Sequence, residues 1–411
     1  MPEFLKLLPP TEALELLLQT LPDLGPATEM IGTPQALGRV TASDVYAHQP
    51  LPSFARSTMD GYALRARDSY GASESMPAYL TVVGEVPMGA ATAFRLTSGQ
   101  AAVIHTGGML PEGADAVVML EQTQAVGRGE VEILKAVAEG ENVLLVGEDV
   151  AEGQLVLPAG TRIRPPEVGG CMALGISDLR VAKIPTVGII SSGDEIISAY
   201  SLPGPGQVRD VNSYSLAALV TQTGGSPVLY GIVPDRLESL RSAAGKALQE
   251  CDVTVITAGS SASVRDMTSE TIRTLGKPGV LVHGVNVRPG KPTILAVCNG
   301  KAVVGLPGNP VSALVIASLF VVPVIEKLLG LKVRRPRARL QAILMTNIAS
   351  QAGREDWVAV KVTSSGTGWQ AEPIFAKSNL IFSLVQADGL IRIQPDVTGF
   401  SAGEVVEVYL Y

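Results

Sequence analysis

From Pro185 onward, short apolar runs alternate with segments of helical period, and this alternation constrains the fold more than any other feature. Strands are predicted over 186–190, 228–233, 253–256 and 302–304. Helices are predicted over 213–223, ended by Gly224-Gly225, over 237–248, over 268–275 and from Pro310. Near-continuous apolar strands separated by helices imply a mostly parallel sheet covered on both faces. This is a doubly wound α/β unit, which takes its ligands beyond the carboxyl ends of its strands.

The rest of the 411 residues must form further units, because one core seldom grows so large. Leu14, Leu16, Leu17, Leu18 and Leu21 follow helical spacing, with Thr11 as the expected N-cap. Between 79 and 163, short apolar runs at 79–83, 116–120 and 131–134 read as antiparallel strands of a β-rich unit. The 43 Gly and 28 Pro fit the many turns this needs. A basic connector, Lys332-Val333-Arg334-Arg335-Pro336-Arg337, precedes a second β-rich region that reads as a small sheet or barrel.

Composition excludes several classes of function. A net charge of -7 and 4% aromatic residues argue against a nucleic-acid binder. Cys171, Cys251 and Cys298 lie too far apart for a zinc or redox motif and read as buried structural residues. His48, His105 and His283 are equally scattered, which disfavours a His-based metal site or a Ser-His-Asp triad. The N-terminal residues do not resemble a signal peptide. The longest apolar run, about 311–325, is interrupted by Ser312, Ser318 and Pro323 and reads as a buried helix too short to span a membrane. The expected location is the cytoplasm.

Three loops fall where the α/β unit should hold a ligand: Ser191-Ser192-Gly193-Asp194-Glu195, the stretch from Ala258 to Ser263 followed by Arg265-Asp266, and Leu306-Pro307-Gly308-Asn309-Pro310. Small residues admit a ligand close to the backbone, and amides at a helix start hold phosphate. Gly and Ser are also ordinary turn residues, and Asn309-Pro310 suits an N-cap and first helical position. Arg288 and Lys291 flank a Pro-Gly turn, an arrangement fit for an anion. Asp60, Asp149, Glu195, Asp235 and Asp266 sit in turns, where one or two could share Mg²⁺ with substrate phosphates.

Taken together these stretches resemble one family. Pro52-Ser53-Phe54-Ala55-Arg56-Ser57-Thr58-Met59-Asp60-Gly61-Tyr62-Ala63 is similar to the signature of molybdopterin molybdenumtransferases and of the C-terminal domain of gephyrin. Thr106-Gly107-Gly108, the run from Pro111 to Val118, Glu121, Gly147-Glu148-Asp149-Val150, Ser192-Gly193-Asp194-Glu195, Pro289-Gly290-Lys291-Pro292 and the run from Leu306 to Ala313 follow in the family's order.

The resemblance implies a multidomain α/β plus β protein with an α/β domain of molybdopterin-binding type over 183–333. It also implies a discontinuous N-terminal dimerisation domain over 1–46 and 151–182, an inserted β domain over 47–150 and a C-terminal β-barrel over 334–411. The activity implied is insertion of molybdate into adenylylated molybdopterin with release of AMP. The implied assembly is a homodimer whose site lies between the α/β domain of one subunit and parts of the other, with transient contact to other cofactor-biosynthesis proteins.

Carried over by motif, Asp60, Asp149, Glu195, Asp235 and Asp266 are the acidic residues of the site, with Mg²⁺ on Asp235 and Asp266. Ser192, Gly193, Gly259, Ser261, Ser263, Pro307, Gly308 and Asn309 are implied to contact substrate, with Arg288, Lys291, Arg354 and Ser378 facing the pterin phosphate or molybdate. One departure stands out. Between Gly259 and Asp266 the chain is one residue shorter than the family pattern of two glycines, a Ser and a further Gly before the acidic residue, and Ala262 and Val264 are small enough to keep the loop compact. Other readings of the same fold are a non-catalytic dimeric scaffold and a pterin- or nucleotide-binding module.

Overall fold

The computed structural model describes residues 7–411 except 128, 259–261, 334, 335, 337 and 367, and not the side chains of 262–266. The α/β unit is built on six strands: β7 (Thr186–Ser192), β8 (Ser226–Val233), β9 (Val253–Ala258), β10 (Pro278–His283), β11 (Ile294–Cys298) and β12 (Lys301–Pro307), numbering those of the inserted domain first. Their order is β8-β7-β9-β12-β11-β10. The first four are parallel, while β11 and β10 continue the sheet antiparallel. The β10–β11 hairpin is not evident from the strand–helix alternation, because it lies on one sheet edge with no helix between its strands.

Helices cover both faces, as near-continuous apolar strands require. The helices α1 (Pro10–Thr20), α3 (Asn212–Thr223) and α6 (Pro310–Leu328) share one core with the sheet, through Leu17, Leu216, Val220, Ile316 and Phe320. On the opposite face α4 (Leu237–Glu250) and α5 (Ala262–Leu275) bury Leu240, Ala244 and Ile272. Between α1 and α3 the chain forms α2 (Pro165–Ala173).

Three expectations are corrected here. The first helix starts at Pro10 with Pro9 as its N-cap, so Thr11 already lies inside it. Ala13, Leu17 and Leu21 pack in the α/β core. The helix expected over 268–275 begins at Ala262. The apolar helix α6 is 19 residues long, enough to cross a membrane by length and composition, but its buried residues place it in the α/β core. A π-helical stretch, Ala317–Val321, interrupts it.

The strand Thr28–Gly32 pairs antiparallel with Asp178–Ala182, joining chain segments on either side of an insertion. Ala36, Ala47, Leu157, Ile163, Cys171 and Leu179 form their common core. The insertion carries β1 (Gly61–Leu64), β2 (Ala78–Glu85), β3 (Gln100–Ile104), β4 (Ala116–Met119), β5 (Thr123–Gly127) and β6 (Glu130–Ile133), in the order β4-β1-β3-β2-β6-β5. The sheet is mixed, not wholly antiparallel as expected, since β2 and β3 run parallel. The connection from Glu85 to Gln100 is long enough to return the chain to the same end of the sheet.

The last region is a closed barrel of β13 (Arg339–Leu344), β14 (Glu355–Ser365), β15 (Gly368–Pro373), β16 (Gly389–Ile393) and β17 (Val405–Leu410). Pairing runs β14-β15-β13-β17-β16 and returns to β14, which leaves no free edge in the ring. All three cysteines are buried and unpaired, and burial pushes the Cys298 thiol up to about 11.

Candidate active cleft

The carboxyl ends of β7 and β9 carry a buried polar knot. Ser191 Oγ lies 3.0 Å from Asp210 Oδ1, 3.0 Å from Ser213 Oγ and 3.2 Å from Thr257 Oγ1. Asp210 is only 6% exposed, and its Oδ1 also accepts the Ser213 N–H at 3.1 Å. These bonds fix the turn from which Ser192 and Gly193 project. Ser192 Oγ donates to Asp235 Oδ1 at 2.7 Å, and the Asp235 N–H donates to Asp194 Oδ1 at 3.2 Å. Ser192, Gly193 and Asp235 therefore form one corner, with Glu195 exposed on the same loop. A Cβ at Gly193 would lie 2.8 Å from Ile196 and 2.9 Å from Glu195 Oε2, so these side chains would have to give way to it.

Asn212, at the start of α3, donates to the Gly308 carbonyl at 2.8 Å and ties this corner to the Pro307-Gly308-Asn309 turn. Neither Asp210 nor Asn212 is singled out by the sequence reading, because both lie past the recognisable loop. Their place just ahead of the helix expected over 213–223 is the available signal.

A cavity of about 600 Å³ opens between this sheet edge and the barrel. Arg288, Lys291, Pro307 and Asn309 line it from one side, and Arg354, Lys377 and Ser378 from the other, with Trp357 and Phe375 as apolar wall. The two sides are stitched together. Val287–Arg288 pairs in parallel with Glu355–Asp356, and Asn309 Nδ2 donates to Ser378 Oγ at 3.0 Å. Asn309 is thus the N-cap of α6 by position, but its side chain reaches across the cleft instead of capping the helix.

Charge in the cleft is mostly positive. Arg288, Lys291 and Lys377 are exposed, whereas Arg354 forks onto the buried Asp356 carboxylate at 2.6 and 3.0 Å. Arg354 therefore presents a partly neutralised guanidinium. Lys377 is a cation the sequence reading missed, although it directly precedes Ser378.

Asp60, Asp149, Glu195 and Asp235 do not line this cavity, nor do Ser192, Gly193 and Gly308. Asp60 Oδ1 accepts the Thr106 N–H at 2.7 Å and its hydroxyl at 3.1 Å. These two bonds, helped by the nearby His105, hold its carboxyl below the usual range. Asp149 is exposed, with its N–H donating to the Leu51 carbonyl at 3.0 Å. Gly259 and Ser261, and the side chains of Ser263 and Asp266, lie outside the described residues.

Comparison with known proteins decides the family. Residues 8–175 match a model described as the MoeA N-terminal region (domain I and II), 188–327 a probable molybdopterin binding domain, and 341–411 the MoeA C-terminal region (domain IV). A molybdopterin molybdenumtransferase of Staphylococcus epidermidis is 32% identical over 92% of this chain and 90% of its own. The chain belongs to the MoeA family of molybdopterin molybdenumtransferases. Within the family, a putative molybdopterin biosynthesis protein of Methanocaldococcus jannaschii is 39% identical over 92% of this chain and 90% of its own. The solved MoeA protein of Pyrococcus horikoshii OT3 is 34% identical, covers 99% of this chain and 100% of its own, and superposes with a TM-score of 0.86. The MoeA likeness thus extends over all the units described above.

Proposed function

We propose that the chain is a molybdopterin molybdenumtransferase of molybdenum cofactor biosynthesis, acting on adenylylated molybdopterin and molybdate with release of AMP. The observation that carries this reading is the cationic cleft of Arg288, Lys291, Arg354 and Lys377 between the α/β edge and the barrel. Molybdate is a dianion, and Lys and Arg donors with the Ser378 hydroxyl offset its charge. Trp357 and Phe375 provide apolar surface for the planar pterin.

In this reading the pterin dithiolene replaces two oxygens of molybdate, and hydrolysis of the phosphoanhydride frees AMP. Asp60, Asp149, Glu195, Asp235 and Asp266 act as the acidic residues, with Ser192, Gly193, Gly259, Ser261, Ser263, Pro307, Gly308 and Asn309 against the substrate. Asp60 and Asp149 lie away from the cleft of their own chain, which fits a homodimer in which they face a partner's cleft. The division into 1–46 with 151–182, 47–150, 183–333 and 334–411 belongs to the same reading, with the first helix docked on the α/β unit. A cytoplasmic location and passing contacts with other cofactor-biosynthesis proteins complete it.

Mg²⁺ suits the corner formed by Ser192 and Asp235 as an ion shared with substrate phosphates. Among the described residues no group of three or more His, Cys, Asp or Glu is placed to hold a metal alone. One oxygen of Asp235 is taken by Ser192, which leaves the carboxylate one further oxygen to offer. Asp235 and Asp266 would hold the ion, which neutralises phosphate charge when bound.

The test is to incubate purified protein with adenylylated molybdopterin, Mg²⁺ and molybdate, then to measure AMP and reconstitution of a cofactor-free molybdoenzyme. Molybdate-dependent release with reconstitution supports the transferase. Binding without turnover would instead favour a scaffold.

A further inference from the structure

Three strand ends of the inserted sheet meet at one corner. β1 begins just after Asp60 and runs antiparallel to β3, with Gly61 opposite Ile104. On its other side β3 pairs in parallel with β2, whose last residue, Glu85, lies opposite Val103. The start of β1 and the ends of β2 and β3 therefore converge, and His105 stands immediately past the end of the central strand.

The imidazole lies between two carboxylates. Its Nε2 is 3.0 Å from Glu85 Oε1, a hydrogen bond, and its Nδ1 is 3.8 Å from Asp60 Oδ1, an ion-pair distance. Among the described residues these are the charged groups within ion-pair distance of the ring. With a single proton on Nε2 the ring turns a lone pair toward Asp60. With both nitrogens protonated each N–H faces a carboxylate.

The neighbouring Thr106 supplies both hydrogen bonds to Asp60 Oδ1, so the residues 105 and 106 together surround that oxygen. Side-chain exposures of 48% for His105, 62% for Asp60 and 66% for Glu85 leave the group open to a ligand and marginal to the stability of the fold. A cluster that is neither buried nor needed for packing, yet organised by three strand ends, is placed for work at the surface.

We propose that His105, anchored by Glu85, is a positioning residue that sets the orientation and charge of the Asp60 carboxylate for the transfer reaction. This rests on the reading that Asp60 takes part in that reaction. Glu85 holds the ring in line, and Thr106 holds one oxygen of Asp60.

The experiment measures AMP release by the full chain, with adenylylated molybdopterin, Mg²⁺ and molybdate, for wild type, His105→Gln, Glu85→Gln and Asp60→Asn. Asp60→Asn should lower kcat by about 100-fold or more, and His105→Gln by about 10-fold with KM nearly unchanged. Glu85→Gln should reduce kcat in the same direction by a smaller factor, and all variants should melt with wild type. An inactive Asp60→Asn beside a His105→Gln with wild-type kcat, or with its loss in KM and not in kcat, overturns the role of His105. Full activity in Asp60→Asn removes the reading of Asp60 itself.

Discussion

Asn309 and Ser378 join the α/β unit to the barrel across the mouth of the cleft, with Asn309 Nδ2 donating to Ser378 Oγ at 3.0 Å. The Val311 N–H donates to the Ser378 carbonyl at 3.1 Å, so the first turn of α6 and the barrel segment are bonded twice. The side chain that a lone helix would use as its cap has been diverted to set the width of the cleft.

Asn309→Ala should therefore loosen the cleft more than it weakens the fold. A neutral hydrogen bond of this kind contributes about 1 kcal/mol, so the melting temperature should fall by only a few degrees. The KM for molybdate should rise while kcat falls less. A double-mutant cycle with Ser378→Ala should show coupling of about 0.5–1.5 kcal/mol. Additive effects in the cycle would show that the bond does not couple the two sides.

Asp356 is the buried carboxylate that holds Arg354, and its strand neighbour is Arg288. Removing its charge with Asp356→Asn leaves Arg354 without its fork and disturbs the β14 start. Arg354 is 24% exposed, so water recovers part of the cost, and a loss of about 1–3 kcal/mol is expected by chemical denaturation. Lys377→Ala should leave stability nearly unchanged and raise the KM for molybdate about tenfold, with a weaker salt dependence than wild type. An unchanged KM in Lys377→Ala would take that residue out of oxyanion binding.

Gly290 lies between the two cationic residues of the turn with φ at +117°. A Cβ there would come within 2.3 Å of the buried Ile316 side chain in α6, so that side chain would have to move. Gly290→Ala should destabilise the protein by more than about 2 kcal/mol, through both overpacking and the left-handed backbone. Ile316→Ala in the same chain should relieve the clash but not the backbone strain. Recovery of part of the lost stability in the double variant, followed by thermal melting, checks the assignment.

The sequence shows some of these features plainly and hides others for physical reasons. β7, β9 and β12 are legible because strands buried on both faces are continuous apolar runs. The place of α1 is not legible, since a leucine face states that a helix is buried but not against what. The β10–β11 hairpin is obscured because no helix separates its strands. The family motifs point to Arg288, Lys291, Asn309, Arg354 and Ser378, and all five line one cleft. Asp356, Lys377 and Asp210 escape notice because their importance depends on partners far away in the chain, which spacing does not reveal.

Asp60 provides the clearest test by pH. The Thr106 N–H, the Thr106 hydroxyl and the charge of His105 all favour its ionised form, in that order, and its carboxyl lies below the ordinary value. A carboxyl depressed in the folded state stabilises that state above its unfolded pKa, and this contribution is lost as pH falls through the folded pKa. The window for Asp60 thus lies below about pH 4, well under any working pH. Thr106→Val removes the hydroxyl bond but keeps the backbone one. Its Asp60 pKa, followed by carboxyl-carbon NMR, should rise toward the ordinary value without reaching it. Thr106→Ser, which keeps a hydroxyl, should stay close to wild type. An unmoved titration in Thr106→Val would mean that the backbone N–H alone holds the carboxylate, and the hydroxyl would then be free to serve a ligand.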